Sequence, residues 1–388
     1  MVTVTNADSA LKSFYLDAVK EALDFKTNPL LAQFQRTTAN VVGKDVRRSV
    51  RYGLNGGIGA GSETGDLPEA ADNNRVEFVT GLKSLYGTIE ISDKALRASA
   101  NSEGAFVNLL NDEMQSLIQS ASFNFGRMLF GDGSAFIAKV EDLPDTHTAK
   151  VDNTSAIMEG MYVDFYGAQK DIADLAQKRK VLSVDRVNGT VTVDGAPLTE
   201  TMDLTGYIAL HNSKDYEITG LEGVFENETL YGVDRTGSFM KPYVAKSVGE
   251  ISENVIQKAI DTIEEAAGSK INFIVCSWGV KRALVEYYRA LGVVLPTMEI
   301  AGSFKALSFN GIPVVADRFC PKGTMYLLNT EDFKLHQLCD WKWLEGEDGK
   351  ILKQVPGKPV YTATLVKYAE LMCDRPSGQG KLSGITEK

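Results

Sequence analysis

Apolar side chains recur at helical spacing from Leu11 to Phe25, through Leu11, Phe14, Tyr15, Ala18, Val19, Ala22 and Leu23, until Asn28-Pro29 stops the pattern. A short amphipathic helix is expected there. Residues 44–52 and 74–80 alternate instead, with Val46, Val50 and Tyr52, then Val76 and Phe78, on one face, which predicts two half-buried strands. Ser102 to Phe130 carries the longest helical pattern, through Phe106, Leu109, Leu110, Met114, Leu117, Ile118, Ala121, Phe125, Met128 and Leu129, and Gly131-Asp132-Gly133 ends it. A helix of that length spans about 40 Å, which suits a structural beam better than a catalytic scaffold.

Residues 151–215 have β character. Within VLSVDRVNGTVTVDG the dipeptide Asn188-Gly189 separates two alternating runs and predicts a two-residue hairpin turn. Gly160, Gly195 and Gly206 mark further turns, so a small barrel or sandwich inserted in the chain is expected. Residues 216–247 read as irregular loops with short strands. From 248 the pattern is α/β: a helix over 252–267 stopped by Gly268, a buried strand over 271–276, and a helix opened by Ser277 that runs to Leu291-Gly292. Strands follow in FNGIPVVADRF and GTMYLLNTEDF. WKWLEG (341–346) and VYTATLVKYAELMC (360–373) read as long strands around a loop, and DRPSGQGKLSGITEK as a polar tail.

Between the first two strands lies GLNGGIGAGSETGDLPEAAD, residues 53–72, with six glycines, four acids (Glu63, Asp66, Glu69, Asp72) and neither Lys nor Arg. Structureless loops this long are uncommon in compact domains and tend to be functional. Strand, glycine tip and strand together make a protruding hairpin whose legs reach roughly 25–30 Å at about 3.3 Å per residue. Charge sharpens the picture. The 388 residues carry 41 basic and 51 acidic side chains, a net −10, yet residues 1–52 hold eight basic and five acidic ones, so a +3 arm precedes a −13 body. That balance opposes a surface that grips nucleic acid or acidic lipid throughout. The arm's basic residues crowd at Lys44, Arg47, Arg48 and Arg51. Alternation with Val46 and Val50 favours arginines meeting acids across an interface over arginines on nucleic acid.

Candidate chemistry is sparse. His147, His211 and His336 are far apart, and Cys276, Cys320, Cys339 and Cys373 form no CxxC pair, so neither a metal site nor a thiol site is expected. GxxxxGK[ST], HExxH and GxSxG are absent, and S-x-x-K at Ser9–Lys12 and Ser238–Lys241 lacks its companion motifs. Gly57, Gly59 and Gly61 miss the GxGxxG spacing and lead into a strand, where a phosphate cradle must lead into a helix N-terminus. Trp341 and Trp343 share a strand face, the usual way of packing a sheet on a neighbour, in a core or at an interface. Catalytic residues, cofactor and metal are therefore all expected to be none. No apolar run reaches membrane-span length and the first residues lack a signal peptide's apolar region, so the chain reads as made and kept in a cytoplasm with reduced cysteines.

This order of elements resembles the major capsid proteins of tailed bacteriophages with the HK97-type fold, and the resemblance covers nearly the whole chain. SETGDLPEA in the hairpin, IVCSWGVKRAL, NGIPVVAD and the ending ELMCDRPSGQGKLSGI carry most of it. It implies an α+β fold in which 1–43 is an N-arm, 44–83 an extended loop, 84–150 a peripheral domain with a spine helix at 102–130, and 151–215 a β-rich insertion. Residues 216–247 would return through the peripheral domain, 248–340 form an axial α/β domain, and 341–388 supply peripheral strands, a loop at 346–359 and the tail.

The function implied is structural: self-assembly into hexamers and pentamers of an icosahedral head around double-stranded DNA, held without sequence specificity. The protein would reside in the virion after assembly in a bacterial cytoplasm. It would meet a portal, a scaffolding protein and possible decoration proteins, and no membrane. The type member crosslinks its shell through a loop lysine; residues 53–74 contain none, so noncovalent contacts are expected to hold this shell. No scaffolding segment precedes the arm in this sequence, which implies a separate scaffold or none. Inter-subunit contacts are expected from Arg47, Arg48, Arg51, Gly57, Gly59, Gly61, Glu63, Asp66, Trp341 and Trp343. Two alternatives stand beside this reading: an encapsulin-like nanocompartment enclosing a cargo enzyme, and a multi-domain enzyme with a glycine-rich lid.

Overall fold

A computed structural model describes residues 16, 28–66, 68–69, 72–95, 103–167, 177–198, 206–292, 297–300, 304–347 and 349–388. Apart from Leu16, the helix expected at 11–25 lies outside them. The alternating runs form β1 (Asp45–Arg51) and β2 (Arg75–Gly81), antiparallel from Asp45 opposite Gly81 to Arg51 opposite Arg75. Val46 and Phe78 are completely buried, while Arg47, Ser49 and Arg51 are exposed. Period-two burial is thus realised within a residue of the predicted boundaries.

The chain continues into β3 (Lys83–Ser92), then into helix α1 (Glu103–Met128). β3 joins a five-stranded sheet whose long members are β4 (Phe333–Trp343) and β5 (Val360–Cys373). β5 pairs with β3 on one side and β4 on the other, so strands some 270 residues apart in sequence share one ladder. Gly87 lets α1 approach: a Cβ there would lie 2.8 Å from Leu117 Cδ1. Leu85, Ile89, Leu117, Phe125, Trp341, Trp343 and Leu365 fill the core between helix and sheet.

Six strands close into a barrel with its own core of Val140, Ala149, Val163, Phe165, Val191 and Ile208. The barrel begins at Phe136, ahead of residue 151, where the β-rich region was expected to start. Phe136–Asp145 alternates weakly and contains Pro144; pairing with Thr148–Val151 and Tyr207–Leu210 is what makes it a strand. Asn188-Gly189 is likewise not a two-residue turn. Asp185 pairs with Thr190, leaving a four-residue turn in which the Asp185 carboxylate accepts from the amides of Val187 and Asn188.

After a short helix α2 (Leu221–Glu226), helices α3 (Glu253–Ala267) and α4 (Trp278–Ala290) begin at Ser252 and Ser277, whose hydroxyls cap Val255 and Val280 amides. They pack on a seven-stranded mixed sheet. In Phe273–Cys276, Ile274 and Cys276 face these helices while Phe273 and Val275 join the large core, so the sheet is buried on both faces. The polar tail is a correction. Gly380–Leu382 is an interior strand of this sheet, between Tyr243–Ala245 and Met325–Leu328. A Cβ on Gly380 would meet Ile263 Cδ1 at 2.6 Å, and Lys381 is neutralised by Glu222 at 2.7 Å and Glu226 at 2.9 Å. A glycine and a paired lysine thus fill a core position that hydropathy alone does not reveal.

Candidate assembly surfaces

The hairpin stem is fixed to the body along its inner face. Register places Arg48 on that face with Val46, Val50, Val76 and Phe78. Arg48 reaches Asp374 just beyond β5 at 2.5 Å, and Lys334 reaches the same carboxylate at 2.9 Å. Phe78 packs on Tyr231 with ring centroids 5.6 Å apart, and the Val79 amide donates to the Tyr231 carbonyl at 2.9 Å. Tyr231 is anchored in turn, its hydroxyl donating to the Leu371 carbonyl and accepting from the Cys373 amide. At the outer end Tyr52 stacks on Phe239 at 4.3 Å. Arg48 therefore pairs within its own chain and is withdrawn from the expected inter-subunit set.

The opposite face of the stem carries Arg47, Arg51 and Arg75, all exposed. Arg75 was missed in the sequence, where only a strand was read; its alternation with Val76 held the signal. Beyond the stem, Leu54 and Ile58 are 91% and 90% exposed, and Gly59, Gly61, Glu63 and Asp66 are exposed beside them. Gly57 is half-buried, its amide donating to Asn55 Oδ1. Gly65 donates to the Ser62 carbonyl and closes a turn with Glu63 and Thr64 at its corners, and Asp66 follows it directly. Of the tip glycines only Gly53 has a positive φ, +70°, so the others serve by lacking side chains.

Trp341 and Trp343 are 3% and 4% exposed. Phe125 meets Trp341 edge-on at 6.2 Å, and the Lys367 ammonium lies 5.5 Å from the same ring while pairing with Asp340 at 2.9 Å. These tryptophans hold α1 to its own sheet, which corrects their assignment to contacts between subunits. Beside them a cavity of about 890 Å³ opens between β3, α1 and residues 210–217, bordered by Leu85, Tyr86, Asn124, His211 and Tyr216.

The histidines are tied down locally. His211 shares a 2.8 Å hydrogen bond with the buried Asp164, and His147 one with the Gly195 carbonyl at 3.0 Å. His336 donates to the Ala39 carbonyl at 3.0 Å, and burial, reinforced by nearby Arg48 and Lys334, lowers its pKa. Among the described residues desolvation raises three carboxyl groups: Glu370 is pushed up to about 7, Asp317 to about 6, and Asp332 is raised as well. Among the described residues, no group of three or more His, Cys, Asp and Glu converges to hold a metal, and no helix is long and apolar enough to cross a membrane.

Neither a family model nor a curated protein matches this sequence. In three dimensions it is similar to the capsid asymmetric unit of cyanophage A-1(L), at a TM-score of 0.58 and 10% identity, over 97% of this chain and 94% of that one. The chain shares the fold of phage capsid subunits. The capsid of an empty GTA particle is similar at a TM-score of 0.50 and 12% identity, over 93% and 90% of the two chains. The holo-SrpI encapsulin complex of Synechococcus elongatus PCC 7942 stands at 0.47 and 9%, over 93% and 89%.

Proposed function

We propose that the chain is a major capsid protein that assembles through hexamers and pentamers into an icosahedral phage-type shell around double-stranded DNA. The observation that carries this is the hairpin: its stem is anchored by Arg48, Phe78 and Tyr52, while its tip exposes Leu54 and Ile58. Large exposed apolar side chains on a reaching arm are made to be covered by a partner, and extended arms supply the interface area that closed assemblies require. The likeness to a cyanophage capsid subunit over 97% of the chain supports the same reading.

In this reading 1–43 is the N-arm, 44–83 the extended loop, α1 the spine of a peripheral domain, and the α3/α4 sheet the axial domain. The barrel is an insertion at the spine's C-terminal end. The protein works by contact and catalyses no reaction. Its other partners are a portal, a scaffold and the packaged DNA, with decoration proteins as an option of the outer surface, and its place is the virion after assembly in the host cytoplasm.

Negative-stain microscopy of the purified protein, alone and with its scaffold, tests the proposal. Closed shells are expected. A monomer that stays dispersed at every concentration and salt level overturns it, and a cargo protein in place of DNA inside the shells transfers the reading to a nanocompartment.

A further inference from the structure

We infer that the outer face of the hairpin stem, which carries Arg47, Arg51 and Arg75, receives the acidic tip segment carrying Glu63 and Asp66 from a second copy of the chain. This rests on the shell reading above and names the surface through which copies engage. Arg51 and Arg75 are directly opposite each other across the β1–β2 ladder, and both are exposed. Like charges at directly opposed positions repel, so an isolated chain gains nothing from this pair. Neither arginine makes an ion pair among the described residues. Arg47, four residues along the same face, has only Asp45, at 4.0 Å. Three cations thus share one face of the ribbon with two acids, Asp45 and Glu77, and among the described residues only Arg47 pairs with either of them.

The tip has the converse deficit. Glu63, Asp66, Glu69 and Asp72 are exposed, make no ion pair among the described residues, and lie in a stretch without Lys or Arg. Glu63 lies in the turn closed by Gly65, and Asp66 follows that turn directly. A chain's own tip acids do not pair with its own stem arginines, so a second copy is the occupant that charge complementarity selects. Guanidinium groups bind carboxylates through two parallel hydrogen bonds, which fixes orientation as well as attraction. Leu54 and Ile58, exposed at the base of the tip, supply apolar area for the same contact. Because donor and acceptor surfaces differ, the contact is heterologous, the kind from which rings are built when the rotation closes.

Nucleic acid is the other polyanion that arginines attract. Asp45 and Glu77 lie on this same face, Glu77 opposite Ser49. Acids interspersed among the arginines repel a continuous phosphate backbone and leave separated cationic positions that suit discrete carboxylates docking in one register.

Charge reversal on each side, then on both, tests the pairing. Arg51→Glu with Arg75→Glu, and separately Glu63→Lys with Asp66→Lys, are expected to keep the circular dichroism of the parent chain. Each is expected to lower the yield of closed shells by about tenfold or more. All four changes in one chain restore complementarity with inverted sign and are expected to return the yield to within about twofold of the parent. Parent-like yields from either single-side reversal overturn the inference, as does a folded quadruple variant that fails to assemble. Normal shell yield with loss of DNA from the stem reversal also overturns it and assigns the arginines to nucleic acid. If the unmodified chain forms no shells, the shell reading fails. The pairing is then decided by bismaleimide crosslinking of an Arg51→Cys variant mixed with an Asp66→Cys variant: mixed dimers support it, and their absence overturns it.

Discussion

Glu370 sits fully buried on β5, accepts a hydrogen bond from the Thr219 amide at 2.7 Å, and has a second carboxyl oxygen without a partner. Desolvation raises its pKa from 4.5 to about 7, so the folded chain holds a proton that the unfolded chain releases. Stability from this group therefore falls as pH rises from about 4.5 to about 7 and is flat above. His336 acts in the opposite sense: its lowered pKa makes acid destabilising. Comparing urea midpoints of the parent and Glu370→Gln across this range isolates the first effect. The variant is expected to lack that part of the decline, and parallel pH curves for the two proteins count against it. Gly220 makes a different local prediction. A Cβ there would lie 2.3 Å from the Met128 carbonyl oxygen and 2.6 Å from the Leu129 carbonyl carbon, both backbone atoms that cannot rotate away. Gly220→Ala is expected to cost about 2–3 kcal/mol in urea unfolding. Gly131→Ala, whose nearest contact is 3.5 Å, is expected to cost far less.

At the level of elements, the barrel joins α1 through a narrow neck. Arg127, in the last turn of α1, makes a buried bidentate pair with Glu217 on the chain returning from the barrel. The Lys83 ammonium donates to the Asp215 carbonyl at 2.7 Å, and the Asp215 amide to the Ser134 carbonyl at 3.1 Å. Removing one partner of a buried pair leaves a desolvated charge, so Arg127→Met is expected to cost about 3–5 kcal/mol. Arg127→Met with Glu217→Leu, which removes both charges, is expected to recover much of that loss in the same unfolding experiment. Equal costs for the single and double variants contradict a neck held by charge. The neck was not legible in the sequence because its partners are 90 residues apart. α1 was legible because its periodicity is local and continues for seven turns.

The whole molecule couples an anchored stem to an uncovered tip. Deleting Gly56–Gly65 removes only exposed or half-buried residues and leaves Val46, Phe78 and Arg48 in place. The deletion is expected to unfold at nearly the parent's temperature yet form no closed particles; particles of normal size and yield by microscopy contradict a tip required for closure. The apparent stretch of long-range partners, from Arg48 to Asp374 and from β3 to β5, also explains why the fold reads as one body crossed repeatedly by the chain.

Local chemistry by itself determined the hairpin, the long helix, the capped helices of the α/β region and the charge split between arm and body. Each depends on periodicity or composition within one segment. Only tertiary structure decided that Arg48 turns inward while Arg47, Arg51 and Arg75 share the outer face, that both tryptophans are core, and that the barrel starts at Phe136. It also decided that Gly380–Leu382 is an interior strand. In each case the outcome depends on which distant strand lies opposite, and a strand's partner sets which side chains are covered and which charges are neutralised.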